Sequence, residues 1–172
     1  PQIEHHTGHL QQERRKGMTQ LPRSGPPAGR FSPPLPKLPD GYLANGYFDE
    51  KGNVRPEVIQ VWPPALARTF TKEAYPKLNT AQLRRFYNKV CNIRQRLDGN
   101  QPFDVLKEQI YSLGPLVAAA VGRKTAPQIF KDFIDMNIPH AVRSEEHFRR
   151  GFLVHFQSVV AYAKFYNPEG GG

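Results

Sequence analysis

Apolar residues recur through the second half of this chain at helical spacing, and in the clearest case a polar stripe runs beside the apolar one. Leu83, Phe86, Tyr87, Val90, Ile93 and Leu97 keep to one side of a helix, the pattern of a buried face. Gln82, Arg85, Lys89, Asn92 and Arg96 follow at offsets of three, four, three and four on another side, so they form a second stripe of the same helix. One stripe packs; the other presents cations and amides. Asn79 stands where its side chain accepts from the first turn, and Gln82 completes a capping box three residues later. Asp98-Gly99 predicts the stop, because glycine readily enters the left-handed conformation that ends helices.

Similar patterns predict the remaining elements. Pro56 opens a short helix, Pro63-Pro64 interrupts it, and Ala65 to Glu73 resumes it up to Pro76. Trp62 and Phe70 are the residues expected to dock this region onto the core. Pro102 to Leu113 makes a helix with Phe103, Leu106, Ile110 and Leu113 on one side, broken or kinked by Gly114-Pro115. Leu116 to Val121 is small and apolar, hence expected to be buried, and leads to the basic turn Gly122-Arg123-Lys124. Thr125 with Pro127 begins a helix through Met136 that turns Ile129, Phe130, Phe133 and Ile134 inward. Ser144, followed by Glu145 and Glu146 at the positive end of the helix dipole, starts the last helix. Phe148, Phe152, Phe156, Val159, Val160, Ala163 and Tyr166 make it the most apolar, suited to a central place.

No period-2 strand of useful length follows residue 60, and there is no internal repeat. The fold expected is all-α, a compact bundle of about five helices with an extended Pro-rich N-terminal tail. Residues 1–40 form that tail, 41–78 a turn-rich lead-in with a short helix, and 79–172 the bundle core. The first 39 residues hold eight of the 17 prolines, a composition that buries too little apolar surface to fold alone. In the lead-in, Asn45-Gly46 and Lys51-Gly52-Asn53 are turn signals that allow a small hairpin.

Charge changes the picture from fold to partner. Lys and Arg number 24 against 15 Asp and Glu, a net +9, which favours a polyanion: nucleic acid first, an anionic membrane surface second. The excess divides as +4 in residues 1–39 (six basic, two acidic), zero in 40–78 (five of each) and +5 in 79–172 (thirteen against eight). Cys91 is the single cysteine, so no internal disulfide or cysteine-based zinc site is available, and an intracellular, cytoplasmic setting fits best. No apolar run approaches the ~20 residues of a membrane span, and a soluble protein is expected.

Candidate chemistry is sparse. The chain has no glycine-rich phosphate loop, nucleophile elbow or helical metal motif. Asp132 with Asp135, and Glu145 and Glu146 with His147, are better explained as solvated or first-turn charges than as metal ligands. His5, His6 and His9 lack supporting carboxylates, and Arg14-Arg15-Lys16 is a cluster common in tails. His140 and His155 have no evident partner, Cys91 is a small hydrophobe rather than a nucleophile, and no cofactor is called for. What remains is backbone binding. Gln82, Arg85, Lys89, Asn92 and Arg96, with Arg84 beside them and Arg123-Lys124 as a second cluster, are donors suited to phosphates and sugars, which position a strand without reading its sequence. Two other readings stay open. The stripe could belong to the recognition helix of a DNA-binding regulator, or meet an acidic surface in a protein-interaction module.

Three blocks carry a family resemblance: Tyr47-Phe48-Asp49-Glu50-Lys51-Gly52-Asn53 with Arg55-Pro56-Glu57; Asn79 through Tyr87; and Gly114 through Arg123. From about Tyr42 to Tyr166 the chain resembles the small subunit of type III-A CRISPR effector complexes, the Csm small subunit. The resemblance implies a helical bundle without catalytic activity, present in several copies that line the guide RNA–target RNA duplex of a ribonucleoprotein and contact its backbone. It also implies partners in the backbone and large subunits of that complex. The family role falls on Arg84, Arg85, Lys89 and Arg123, while the Pro-rich tail has no counterpart in the family's compact core.

Overall fold

The computed structural model describes residues 34–168. The expectations for the Pro-rich tail before residue 34, for His5, His6 and His9 and for Arg14-Arg15-Lys16 lie outside the described residues. Within them the fold is all-α, as expected, with five helical stretches: 57–73, 80–98, 103–122 (broken at Ser112), 128–141 and 145–166.

The first stretch shows how prolines can be absorbed. A π-helical segment (Glu57–Val61) leads into α1 (Trp62–Arg68), and a second (Thr69–Glu73) follows it. Pro63-Pro64 therefore does not interrupt the helix. The prolines occupy the opening of α1, where the hydrogen-bond pattern changes and a missing N–H costs least.

The next helix, α2 (Thr80–Asp98), starts as its sequence predicts, Asn79 and Gln82 forming a reciprocal capping box. It stops at Asp98-Gly99 as expected, but the left-handed residue comes one position later than expected. Gly99 has φ −82°, and Asn100 takes the left-handed conformation at φ 63°. The Asn100 and Gln101 amides donate back to Leu97 and Arg96 carbonyls, a double closure that sets the left-handed residue at Asn100, and asparagine tolerates that conformation.

A break at Ser112, before Gly114-Pro115, separates α3 (Phe103–Tyr111) from α4 (Leu113–Gly122). The proline sits in the first turn of α4, where it opens a helix rather than ending one. Along α4, Val117 and Ala120 are buried but Leu116 is exposed, contrary to the uniform burial expected of the segment 116–121. A three-residue step places Leu113, Leu116 and Ala119 too far around the helix for all to face the core.

Further on, α5 (Gln128–Ala141) runs past Met136 and through Pro139. Pro139 is exposed while Ile138 and Ala141 are buried, so the core packing of the last turn outweighs one missing hydrogen bond. The final stretch is opened by Ser144, whose hydroxyl accepts from the His147 amide. It continues through a π-helical segment (His147–Leu153) into α6 (Val154–Tyr166). Phe148, Phe152, Phe156, Val159 and Ala163 are fully buried, and α6 packs against α1 and α2. The ring of Phe156 meets Tyr87 of α2 and Phe130 and Phe133 of α5. The central place expected of this helix is the one it occupies.

The turn-rich segment before residue 56 is closed by a single antiparallel bridge, Phe48 to Val54, with the Asp49 carboxylate accepting from the Lys51 and Asn53 amides. Tyr42, Leu43 and Tyr47 of this segment are buried in the core. At Gly151 an added Cβ would lie 2.2 Å from the Tyr47 ring, so only glycine lets that ring reach the helix backbone.

These tyrosines enter a directional chain of hydrogen bonds. Tyr47 Oη donates to Asn137 Oδ1 at 2.7 Å, and Asn137 Nδ2 donates to Tyr42 Oη at 2.7 Å. His155 Nδ1 lies 2.6 Å from the Val58 carbonyl, an acceptor only, so Nδ1 carries the proton and Nε2 accepts from Tyr42 Oη at 2.7 Å. Burial holds the His155 imidazole neutral, with a pKa lowered to about 4.

Candidate nucleic-acid interface

The buried face of α2 fixes where its other side chains go. Leu83, Val90, Ile93 and Leu97 are buried, which turns Arg84, Arg85, Lys89, Asn92 and Arg96 to solvent and leaves Gln82 half-buried at the cap. From Gln82 to Arg96 the stripe is about 21 Å long at the ~1.5 Å rise of an α-helix.

A furrow lies between this stripe and α4. One end, of about 200 Å³, is lined by Gln82, Arg85, Phe86 and Lys89 from α2 and by Leu116, Ala120, Arg123 and Thr125 across from them. The other, of about 590 Å³, continues along Lys89, Asn92, Ile93 and Arg96, facing Gln109, Ser112, Leu113, Pro115 and Leu116. Lys89 and Leu116 belong to both, so the two are one continuous groove. Its cations are Arg85, Lys89, Arg96 and Arg123, and no carboxylate lines it.

The structure thus gathers six of the eight candidate residues along one furrow: Gln82, Arg85, Lys89, Asn92, Arg96 and Arg123. Arg84 is exposed outside the lining, and so is Lys124, which follows Arg123 in the turn after α4. That turn is tightly closed. Lys124 and Thr125 amides donate to the Val121 and Ala120 carbonyls, and Lys124 itself sits at φ 57°, a conformation that glycine usually supplies at this place. Gln109, Ser112 and Thr125 are polar wall residues that sequence reasoning missed. Nothing in their local pattern marks them, because α3 and α4 meet α2 only through tertiary packing.

Among the described residues, Arg84, Arg85, Lys89, Arg96, Arg123 and Lys124 form no ion pair, whereas other basic residues do. Arg149 bridges Asp98 and Glu145 at 2.6 Å each, and these carboxylates hold its pKa above the ordinary value. Arg150 pairs with Glu146 and stacks over Phe48, Lys131 pairs with Asp135, and Arg94 lies 3.9 Å from Asp98.

The residues weighed as possible metal ligands have structural partners. Asp132 accepts from Gln128, Asp135 from Lys131, and Glu145 and Glu146 from Arg149 and Arg150. His147 Nδ1 is hydrogen-bonded with the Ser144 hydroxyl at 2.9 Å. Among the described residues no group of three or more His, Cys, Asp or Glu side chains is placed to hold a metal ion, and no helix is long and apolar enough to cross a membrane.

The furrow and all eight candidate residues lie inside residues 64–169, which match the family model Csm2 Type III-A. The chain belongs to this family. It is therefore a small subunit of the type III-A CRISPR effector, and a component of a multi-subunit Csm complex. The match starts within α1, so the first of the three resembling blocks, Tyr47 to Glu57, precedes it. No curated protein and no solved structure matches the chain.

Proposed function

We propose that the furrow between α2 and α4 seats the sugar–phosphate backbone of the guide RNA–target RNA duplex within the type III-A complex, without sequence specificity and without catalysis. The single observation behind this is convergence. Arg85, Lys89 and Arg96 from α2 and Arg123 from beyond α4 line one groove that no carboxylate enters, and among the described residues none of them is already paired. Cations and amides on an exposed surface suit phosphate and ribose, which carry no sequence information. Guide pairing already reads sequence, so tolerance is what such a subunit needs. Each copy adds a few cation–phosphate pairs, and several copies along one duplex act together through effective concentration.

Substitution of Arg85→Ala with Lys89→Ala tests this in the assembled complex. Target-RNA affinity is expected to fall, and the log–log salt dependence to flatten by roughly 0.7 to 0.9 for each phosphate that is no longer neutralised. Unchanged affinity and slope would instead favour a surface that meets acidic protein, and a strong preference between unrelated duplexes would favour a DNA-binding regulator.

A further inference from the structure

A second anion-ready site lies at the opposite end of α2 from its Schellman stop, outside the furrow. A pocket of about 450 Å³ is lined by Thr71, Lys72, Lys77, Leu78, Asn79, Thr80 and, from the end of α6, Tyr166 to Pro168. Here the longest helix among the described residues presents its positive end. The capping box uses the Gln82 and Asn79 amides, and the Leu83 amide donates to the Asn79 carbonyl. The Thr80 and Ala81 amides are left without an acceptor among the described residues.

Independent of the helix end, Thr80 is 95 % buried, its relative exposure being 5 %, yet it lines the pocket and its hydroxyl has no hydrogen-bond partner among the described residues. Thr71, buried beside it, is different: its hydroxyl already donates to the Ala67 carbonyl. The Thr80 side chain is mostly enclosed, but its oxygen is not among the wholly buried unpartnered atoms of the described residues, which are Glu57 Oε2 and His140 Nδ1, so water reaches it and a ligand oxygen can take the place of that water. Lys72 and Lys77 form no ion pair among the described residues, and no carboxylate lines the pocket.

We propose that this pocket is a binding site for a phosphate group, held by the Thr80 and Ala81 amides, the Thr80 hydroxyl and the Lys72 and Lys77 ammonium groups. Two backbone donors, a hydroxyl and two cations match the oxygens of a phosphate ester, and a helix N-terminus favours its charge. The volume exceeds that of phosphate alone and leaves room for an attached sugar. The phosphate comes either from a free nucleotide or from the end of a nucleic-acid strand. The site does not depend on RNA lying in the furrow.

The test uses the full chain, isotope-labelled, with amide shifts of Thr80 and Ala81 followed at constant ionic strength. Inorganic phosphate, adenosine 5′-monophosphate, and one oligoribonucleotide with and without a 5′-phosphate are each added. Saturating shifts are expected at both amides, weakened about tenfold by Lys72→Ala with Lys77→Ala and unchanged by Arg85→Ala with Lys89→Ala. A response to the monophosphate alone assigns a free nucleotide; one that requires the 5′-phosphate of the oligonucleotide assigns a strand end. Absence of saturation, an equal response to chloride, or indifference to removal of both lysines would overturn the site. The furrow double variant separates this outcome from failure of the furrow to bind RNA.

Discussion

Two sets of polar side chains in this molecule differ in what they lack. In the core, Tyr47, Asn137, Tyr42, His155 and the Val58 carbonyl form a chain in which every donor meets an acceptor. Along the furrow, Arg85, Lys89, Arg96 and Arg123 have no such mates among the described residues. Buried polar groups must be satisfied within the fold, because an unmet one costs about 1–3 kcal/mol; exposed ones are satisfied by water and can exchange it for a partner. The Arg149 bridge between Asp98 and Glu145 stands between the two, equally basic but half-buried and already engaged. Basic composition alone therefore does not mark a binding face. The proposed face is set apart by where the carboxylates are not: none lines the furrow.

The largest effect expected from testing this contrast comes from Asn137→Leu. It takes the close acceptor from the Tyr47 hydroxyl, and a donor from the Phe133 carbonyl and from the Tyr42 hydroxyl, which still donates to His155. Unfolding free energy should fall by about 4 kcal/mol, about 2 for the first loss and about 1 for each of the others. Chemical denaturation measures the loss. RNA affinity per folded molecule should stay the same, and a parallel fall would show that core and furrow are not independent.

Acidification probes the same network with a smaller expected loss. His155 titrates near 4 when folded and near 6.5 when unfolded, so the unfolded chain takes up the proton first as pH falls. The stability contributed by the neutral ring is complete above about pH 6.5, declines toward pH 4, and amounts to about 3 kcal/mol in all. Burial lowers the pKa of His140 and His147 as well, which adds to the decline in the same direction. Denaturation midpoints from pH 7 down to pH 4 check it, and a flat profile would mean that His155 is not held neutral by its surroundings.

The smallest effect has opposite signs on the two sides of the contrast. Lys124→Gly relieves a left-handed lysine at φ 57° and should raise stability by about 0.5–1 kcal/mol. If the turn after α4 touches phosphate, RNA affinity should drop modestly in the same variant. Thermal unfolding and a salt-matched binding curve measure the two separately.

These two regions were not equally legible in the sequence. The α2 stripe is legible because a capping box and a 3.6-residue period are local signals, and both stripes follow once the buried face is known. Its end is less so: Asp98-Gly99-Asn100 offers two residues that tolerate a left-handed turn, and the choice depends on closing bonds to Arg96 and Leu97. The approach of Arg123 to Gln82 and Arg85 depends on how α4 packs against α2, which no local pattern records. The core network is the least legible. Tyr42 and Tyr47 look like residues of a turn-rich lead-in, and their partners Asn137 and His155 stand 90 or more positions away.

That distance has a practical side. The family match begins at residue 64, after Tyr42, Tyr47 and Val58 have already been built into the core. A chain trimmed to the matched residues would keep every furrow cation, yet it would leave Asn137 and His155 facing a hole where their partners had been. Kinship and folding draw different borders on this protein, and anyone shortening it for study should follow the second.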